Sequence, residues 1–172
     1  MEKETLIQEI RTAFKGVKLE DGIGLREGMG MDDYAPPSRL QELRQKDERE
    51  DWTAIPFREI CGWYEDAFCY MDAKGLRFHL PQYIIADLLE EELAAQGIHM
   101  SYDPFWVVER FTEEDIAFYS QPQILAIVHY LEYLIELQVQ EDREYGCIDD
   151  PTRYRESCIL ARWRALLASN GE

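Results

Sequence analysis

The sequence predicts a mainly helical α+β protein, a helical bundle packed on one two-stranded β-hairpin. Two kinds of pattern point there. Apolar residues recur at helical spacing in three places: Leu6, Ile7, Ile10, Ala13 and Phe14; Ile124, Ile127, Val128, Leu131, Leu134, Ile135 and Val139; and Ile159, Leu160, Trp163, Leu166 and Leu167. Between the first two, Ala67–Met71 and Leu76–Leu80 alternate on either side of Asp72-Ala-Lys-Gly75, the pattern of two strands joined by a short loop in which Gly75 supplies a positive φ. A chain of 172 residues is the length of a single domain, and 46% hydrophobic content supplies its core.

Taken in order, the stripe over Lys3–Phe14 predicts an amphipathic helix closed by Lys15 and Gly16. Residues 17–31 are rich in glycine and predict tight turns around a short helix near Leu25–Met29; the Gly spacing is no phosphate fingerprint, because a helix rather than a strand precedes it. Ala35-Pro36-Pro37 breaks the chain, and Ser38 then starts a short polar helix to about Lys46. Trp52, Ile55 and Phe57 return to the core, with a helical turn or two following to Tyr64. The hairpin comes next. Pro81 then opens a helix over Gln82–Ala95 with Tyr83, Ile84, Leu88 and Leu89 inward and Glu90–Glu92 outward. An aromatic connector, Tyr102 to Val108, leads to a Thr112 cap. The longest helix starts at Ser120 with Pro122 just inside and runs to about Glu141. Asp150-Pro151 starts the last helix, and Asn170-Gly171 ends it.

The net charge is −17, from 18 basic and 35 acidic residues. Such a polyanion is expected to bind no nucleic acid, since that affinity comes from Lys and Arg displacing counterions. The charge is uneven. Residues 87–151 hold only Arg110 and Arg143 against 16 acids, net −14, whereas residues 1–86 carry 12 basic against 17 acidic, net −5. An acidic face in that segment would attract a basic partner and speed its association. The start, MEKETLIQEIRTAF, lacks the basic-then-apolar pattern of a secretory signal, and the longest aliphatic run, Ile124–Val128, is far short of the ~20 residues of a bilayer span. A cytoplasmic location and no membrane partner are expected.

No residue pattern specifies a reaction. Cys61, Cys69, Cys147 and Cys158 include no C-x-x-C pair, there is no G-x-S-x-G elbow, and His129 with Glu132 and Glu136 lacks the second histidine of a zinc helix; no metal or cofactor is expected. The catalytic candidates are four groups on or beside the hairpin: Asp66, Asp72, Arg77 and His79. Arg77 and His79 alternate with Phe78 and Leu80 and would lie on the open strand face, Arg77 paired with Glu65, Asp66 or Asp72.

The segments Asp51-Trp-Thr-Ala-Ile-Pro56 and Phe68-Cys-Tyr-Met-Asp-Ala-Lys-Gly-Leu-Arg-Phe-His-Leu-Pro-Gln-Tyr83 resemble a family of small bacterial proteins of unknown function. Its members show a helix ending in Ala-Phe, here Ala13-Phe14, then Trp-x-x-Ile-Pro, then Asp-Ala-x-Gly-x-Arg-Phe-x-Leu-Pro. The resemblance spans about residues 5–135 and implies no activity, cofactor or site residue. The expected function is that of a protein-binding module, such as an immunity protein for a basic toxin, meeting its partner through Glu90, Glu91, Tyr102, Trp106, Tyr130 and Tyr133. The alternative is a small-molecule binder or enzyme with its site between the hairpin and the long helix.

Overall fold

The computed structural model describes residues 1–100, 103–146, 150 and 154–169. Tyr102, Cys147, Pro151 and the Asn170-Gly171 end lie outside them. In chain order the α-helices are α1 (Lys3–Ala13), α2 (Leu25–Asp32), α3 (Pro37–Arg44), α4 (Ala73–Leu88), α5 (Glu90–Ala94), α6 (Pro104–Arg110), α7 (Glu113–Ile116), α8 (Gln121–Glu144) and α9 (Arg155–Ser169). Two 3-10 segments, Trp52–Ala54 and Glu65–Tyr70, and a π-helical turn, Glu59–Trp63, lie between α3 and α4. Among the described residues there is no strand. The chain divides into two compact units: a split unit made of Met1–Ala13 and Phe111–Glu172, and a central unit, Phe14–Arg110.

The split unit is assembled by apolar stripes. Leu6, Ile7 and Ile10 of α1, Ile124, Ile127, Val128 and Leu131 of α8, and Ile159, Leu160 and Trp163 of α9 are all buried, as their helical spacing requires. Each such side chain removed from water contributes about 1.5–3 kcal/mol. Trp163 packs with Phe111 and Tyr119, ring centroids 6.0 and 6.1 Å away. At the start of α8 the Gln123 side chain accepts from the Ser120 backbone N–H at 3.0 Å, and Pro122 occupies the first turn.

The central unit is tied differently, by polar side chains bonded to distant backbone. Trp52 Nε1 donates to the Phe14 carbonyl at 2.9 Å, and Gln82 Nε2 donates to the Ile55 carbonyl at 2.8 Å, both inside the core. Arg49 Nη2 donates to the carbonyls of Glu20 and Gly22, while Leu19 N–H donates to the Arg49 carbonyl at 2.9 Å. The acidic loop residues Glu20 and Asp21 are gathered by Lys74 and Arg77 from α4.

The predicted hairpin is absent, and the α+β class gives way to an all-helical one. The first expected strand falls on the 3-10 segment Glu65–Tyr70, and the second on the first half of α4. Asp72-Ala-Lys-Gly75, expected as a turn, is instead a helix start: Asp72 is the N-cap, its Oδ1 accepting from Gly75 N–H at 2.8 Å and from Ile23 N–H at 3.1 Å. Gly75 is not in the left-handed region. It is glycine because a Cβ there would overlap the Ile23 carbonyl oxygen.

The alternation around Arg77 and His79 arises because α4 is buried almost all round. Phe78 through Ala86 are buried without a break, so the helix shows no one-sided stripe. Its polar members survive burial by bonding backbone, as His79 and Gln82 do. Pro81 lies inside α4 rather than at its start. It cannot donate to the Arg77 carbonyl, a loss of about 3 kcal/mol in a helix interior that the burial of Leu80, Tyr83–Ala86 and Leu88 offsets. Phe68 stacks on Tyr83, centroids 4.1 Å apart, fixing the 3-10 segment against α4.

Candidate functional site

The central unit contains a polar pocket of about 240 Å³. Its apolar wall is Leu25, Ala54, Ile55 and Pro56, and its polar groups come from Arg26, Lys46, Asp47, Glu48, Glu59 and His79. Local chemistry sets each of them. The N-cap position of α2 is Gly24, which has no side chain to offer, and Asp47 caps the helix from outside: Oδ1 accepts from Arg26 N–H at 2.7 Å and Oδ2 from Glu27 N–H at 3.2 Å. A Cβ on Gly24 would occupy the space of the Asp47 carboxylate. Burial pushes the Asp47 carboxyl above its ordinary range, outweighing these two hydrogen bonds.

Arg26 turns its guanidinium to Glu59, Nη2 to Oε2 3.1 Å, and to the Tyr64 hydroxyl, lying over that ring at 5.1 Å. Glu48 accepts from three successive backbone N–H groups, Arg49, Glu50 and Asp51, at 2.9–3.1 Å, and these hold its carboxyl below the usual range. Lys46 makes no ion pair among the described residues.

His79 is 1% exposed. Its Nδ1 lies 2.8 Å from the Gly75 carbonyl. A carbonyl only accepts, so Nδ1 carries the proton and Nε2 the lone pair. Burial, reinforced by the positive charge of Arg49, lowers its pKa to about 4, and the ring is neutral at physiological pH. Nε2 has no hydrogen-bond partner among the described residues, and the ring lines the pocket.

A second place on the central unit is polar and aromatic at the surface. Tyr34, just past α2, is 93% exposed and has φ +55. Ala35 N–H bonds back to the Gly30 carbonyl at 2.8 Å, so Tyr34 stands at the left-handed position of a helix C-cap where glycine is usual. Asp32 and Asp33 end the helix at the negative pole of its dipole, with no basic residue in the last turn. Tyr70, 36% exposed, donates to Asp32 Oδ1 at 2.8 Å, and Met31 beside them is 37% exposed.

Of the catalytic candidates, Asp72, Arg77 and His79 share α4, whereas Asp66 is exposed on the 3-10 segment with no hydrogen bond or ion pair among the described residues. Asp72 is committed to backbone amides. Arg77 pairs with Glu20, Nη2 to Oε1 3.3 Å. His79 is interior rather than on an open face.

Of the partner-binding candidates, Glu90 and Glu91 are exposed in the first turn of α5 and make no ion pair among the described residues. Trp106 is half-buried under the Arg110 guanidinium, 4.2 Å from its ring centroid, Tyr133 is half-buried, and Tyr130 is a fully buried core residue. The acidic segment 87–151 is itself divided, residues 87–110 falling in the central unit and 111–151 in the split unit. Sequence reasoning missed Asp47, Arg26, Lys46 and Tyr34. Only Tyr34, an aromatic after two acids and before Pro36-Pro37, left a readable signal.

These features define an all-helical protein with a polar pocket and an acidic, aromatic turn in its central unit. The chain belongs to the DUF6714 family, a family of unknown function, whose model matches residues 2–158, including both the Trp-x-x-Ile-Pro and the Asp-Ala-x-Gly segments. No curated protein and no solved structure matches the chain. Among the described residues no helix is long and apolar enough to cross a membrane, and no three of His, Cys, Asp and Glu gather as metal ligands.

Proposed function

We propose that the protein is a protein-binding module that takes a basic partner, in the manner of an immunity protein neutralising a basic toxin, and that it does so through the turn at Asp32, Asp33, Tyr34 and Tyr70. The observation that carries this reading is Tyr34. A tyrosine held in the left-handed region of a helix C-cap costs of order 1 kcal/mol against glycine, and its ring is exposed to water rather than packed. Asp32 and Asp33 add carboxylates where the helix dipole already disfavours them. An arginine of a partner relieves both: its guanidinium stacks on a tyrosine face while the carboxylates accept its N–H groups. The net charge of −17 supplies long-range steering.

Affinity capture from the native host at low salt and at ~0.5 M salt tests the reading. The expected result is a basic protein whose association slows as salt rises and whose binding weakens about tenfold in Tyr34→Asn, a change that removes the ring but tolerates the left-handed backbone. An acidic partner, or an association rate indifferent to salt, overturns it.

A further inference from the structure

The pocket of the central unit holds an accepting nitrogen that the fold does not use. His79 is buried and its ring lines the pocket, and its Nε2 makes no hydrogen bond among the described residues. The group that meets it must be a donor, because Nδ1 already carries the ring's proton toward the Gly75 carbonyl. The positive charge of Arg49 disfavours a further cation at His79, so a neutral donor such as a hydroxyl suits Nε2 better than an ammonium.

The rest of the lining fixes the remainder of such a molecule. Asp47 is occupied by the amides of α2, Glu48 by three backbone amides, and Arg26 by Glu59 and Tyr64. Lys46 is the cation of the lining that makes no ion pair among the described residues, and it attracts an anionic group. Ile55 and Pro56 offer apolar contact in the same lining. We propose that this pocket binds a small hydroxy acid, with its hydroxyl donating to His79 Nε2, its carboxylate meeting Lys46, and its carbon chain lying on Ile55 and Pro56. The proposal stands apart from the basic-protein surface, since the two use different residues.

Titration of the intact protein with lactate and glycerate, followed by the ring nitrogen resonances of His79 and by thermal melting, tests it. Propionate, which lacks the hydroxyl, and lactamide, which lacks the charge, serve as comparison ligands. The expected result is a shift of Nε2 and a raised melting midpoint with the hydroxy acids, and about tenfold weaker binding of each comparison ligand, the loss of one hydrogen bond or one charge contact. Lys46→Gln, an exposed change that leaves the fold intact, is expected to bring lactate down to the affinity of lactamide; His79→Phe removes the acceptor and the lactate response with it. Equal binding of lactate and propionate, unaltered lactate binding in Lys46→Gln, or a His79 ring that responds to none of the four compounds, as when water alone occupies the pocket, overturns the proposal.

Discussion

The two units of this protein are held together by different physics. In the split unit, α1, α8 and α9 present apolar stripes, and the charged contacts lie at the margin, such as Arg164 with Glu132 at 2.5 Å. In the central unit, short helices are fastened by single polar side chains that reach backbone far along the chain: Asp72 to Ile23, Asp47 to Arg26 and Glu27, Gln82 to Ile55, Trp52 to Phe14. Packing of the first kind depends on volume and survives a lost charge. Ties of the second kind depend on individual atoms, and breaking one leaves its backbone partner without that hydrogen bond.

That contrast is open to direct attack. The largest effect is expected in the split unit from Trp163→Ala, which empties a fully buried indole site and should lower stability by about 4 kcal/mol in urea unfolding. A loss below ~1 kcal/mol would mean that its ring cluster does not carry the unit. Next comes Gly75→Ala in the central unit. Here a single methyl group must displace the Ile23 carbonyl, and we expect a loss of about 3 kcal/mol, far beyond the usual Gly-to-Ala gain within a helix.

Acid should weaken the protein through His79. The unfolded side chain takes up a proton near pH 6.5, whereas the folded one resists until about 4, so the unfolded state binds more protons between these values. Stability from this residue is full above pH ~7, falls as pH drops through 6.5 and levels off below 4. Between pH 7 and pH 5 the loss is about 2 kcal/mol. Asp47 works in the opposite sense at the acid end, because its carboxyl is raised and its protonation favours the fold. Replacing His79 by Gln should flatten the slope between pH 5 and 7; an unchanged slope would assign it to other groups. The smallest effect belongs to the split unit's surface, where Glu132→Ala should cost about 0.5 kcal/mol or less, since both partners of its ion pair keep substantial contact with water.

The same contrast explains what the sequence discloses. The helices α1, α8 and α9 are legible because one-sided burial writes a 3.6-residue period into the chain, and Thr112 and Ser120 mark the starts of α7 and α8. A short helix near Leu25 is legible too. The long interior helix α4 is not, because burial on every side erases the period, and a helix start reading Asp-Ala-Lys-Gly matches a hairpin loop residue for residue. For the candidate site, His79, Arg77 and Asp72 stand out as polar residues among apolar ones, and the structure gives each a definite partner. Asp47 gives no such sign. It caps a helix that begins more than twenty positions earlier, a relation no local pattern encodes. Tyr130 fails for the converse reason, since an aromatic on a long helix reads equally as core or as surface.

The central claim, that individual side chain-to-backbone ties hold the central unit, is tested most directly by amide hydrogen exchange of Ile23 and Gly75 in the wild type and in Asp72→Ala. Both amides donate to the Asp72 carboxylate, at 3.1 and 2.8 Å. The substitution is expected to remove protection at these two amides together and to lower stability by about 2 kcal/mol, while protection across α8 falls by no more than that global change. Protection at Ile23 that persists in Asp72→Ala, with stability unchanged, would contradict the claim.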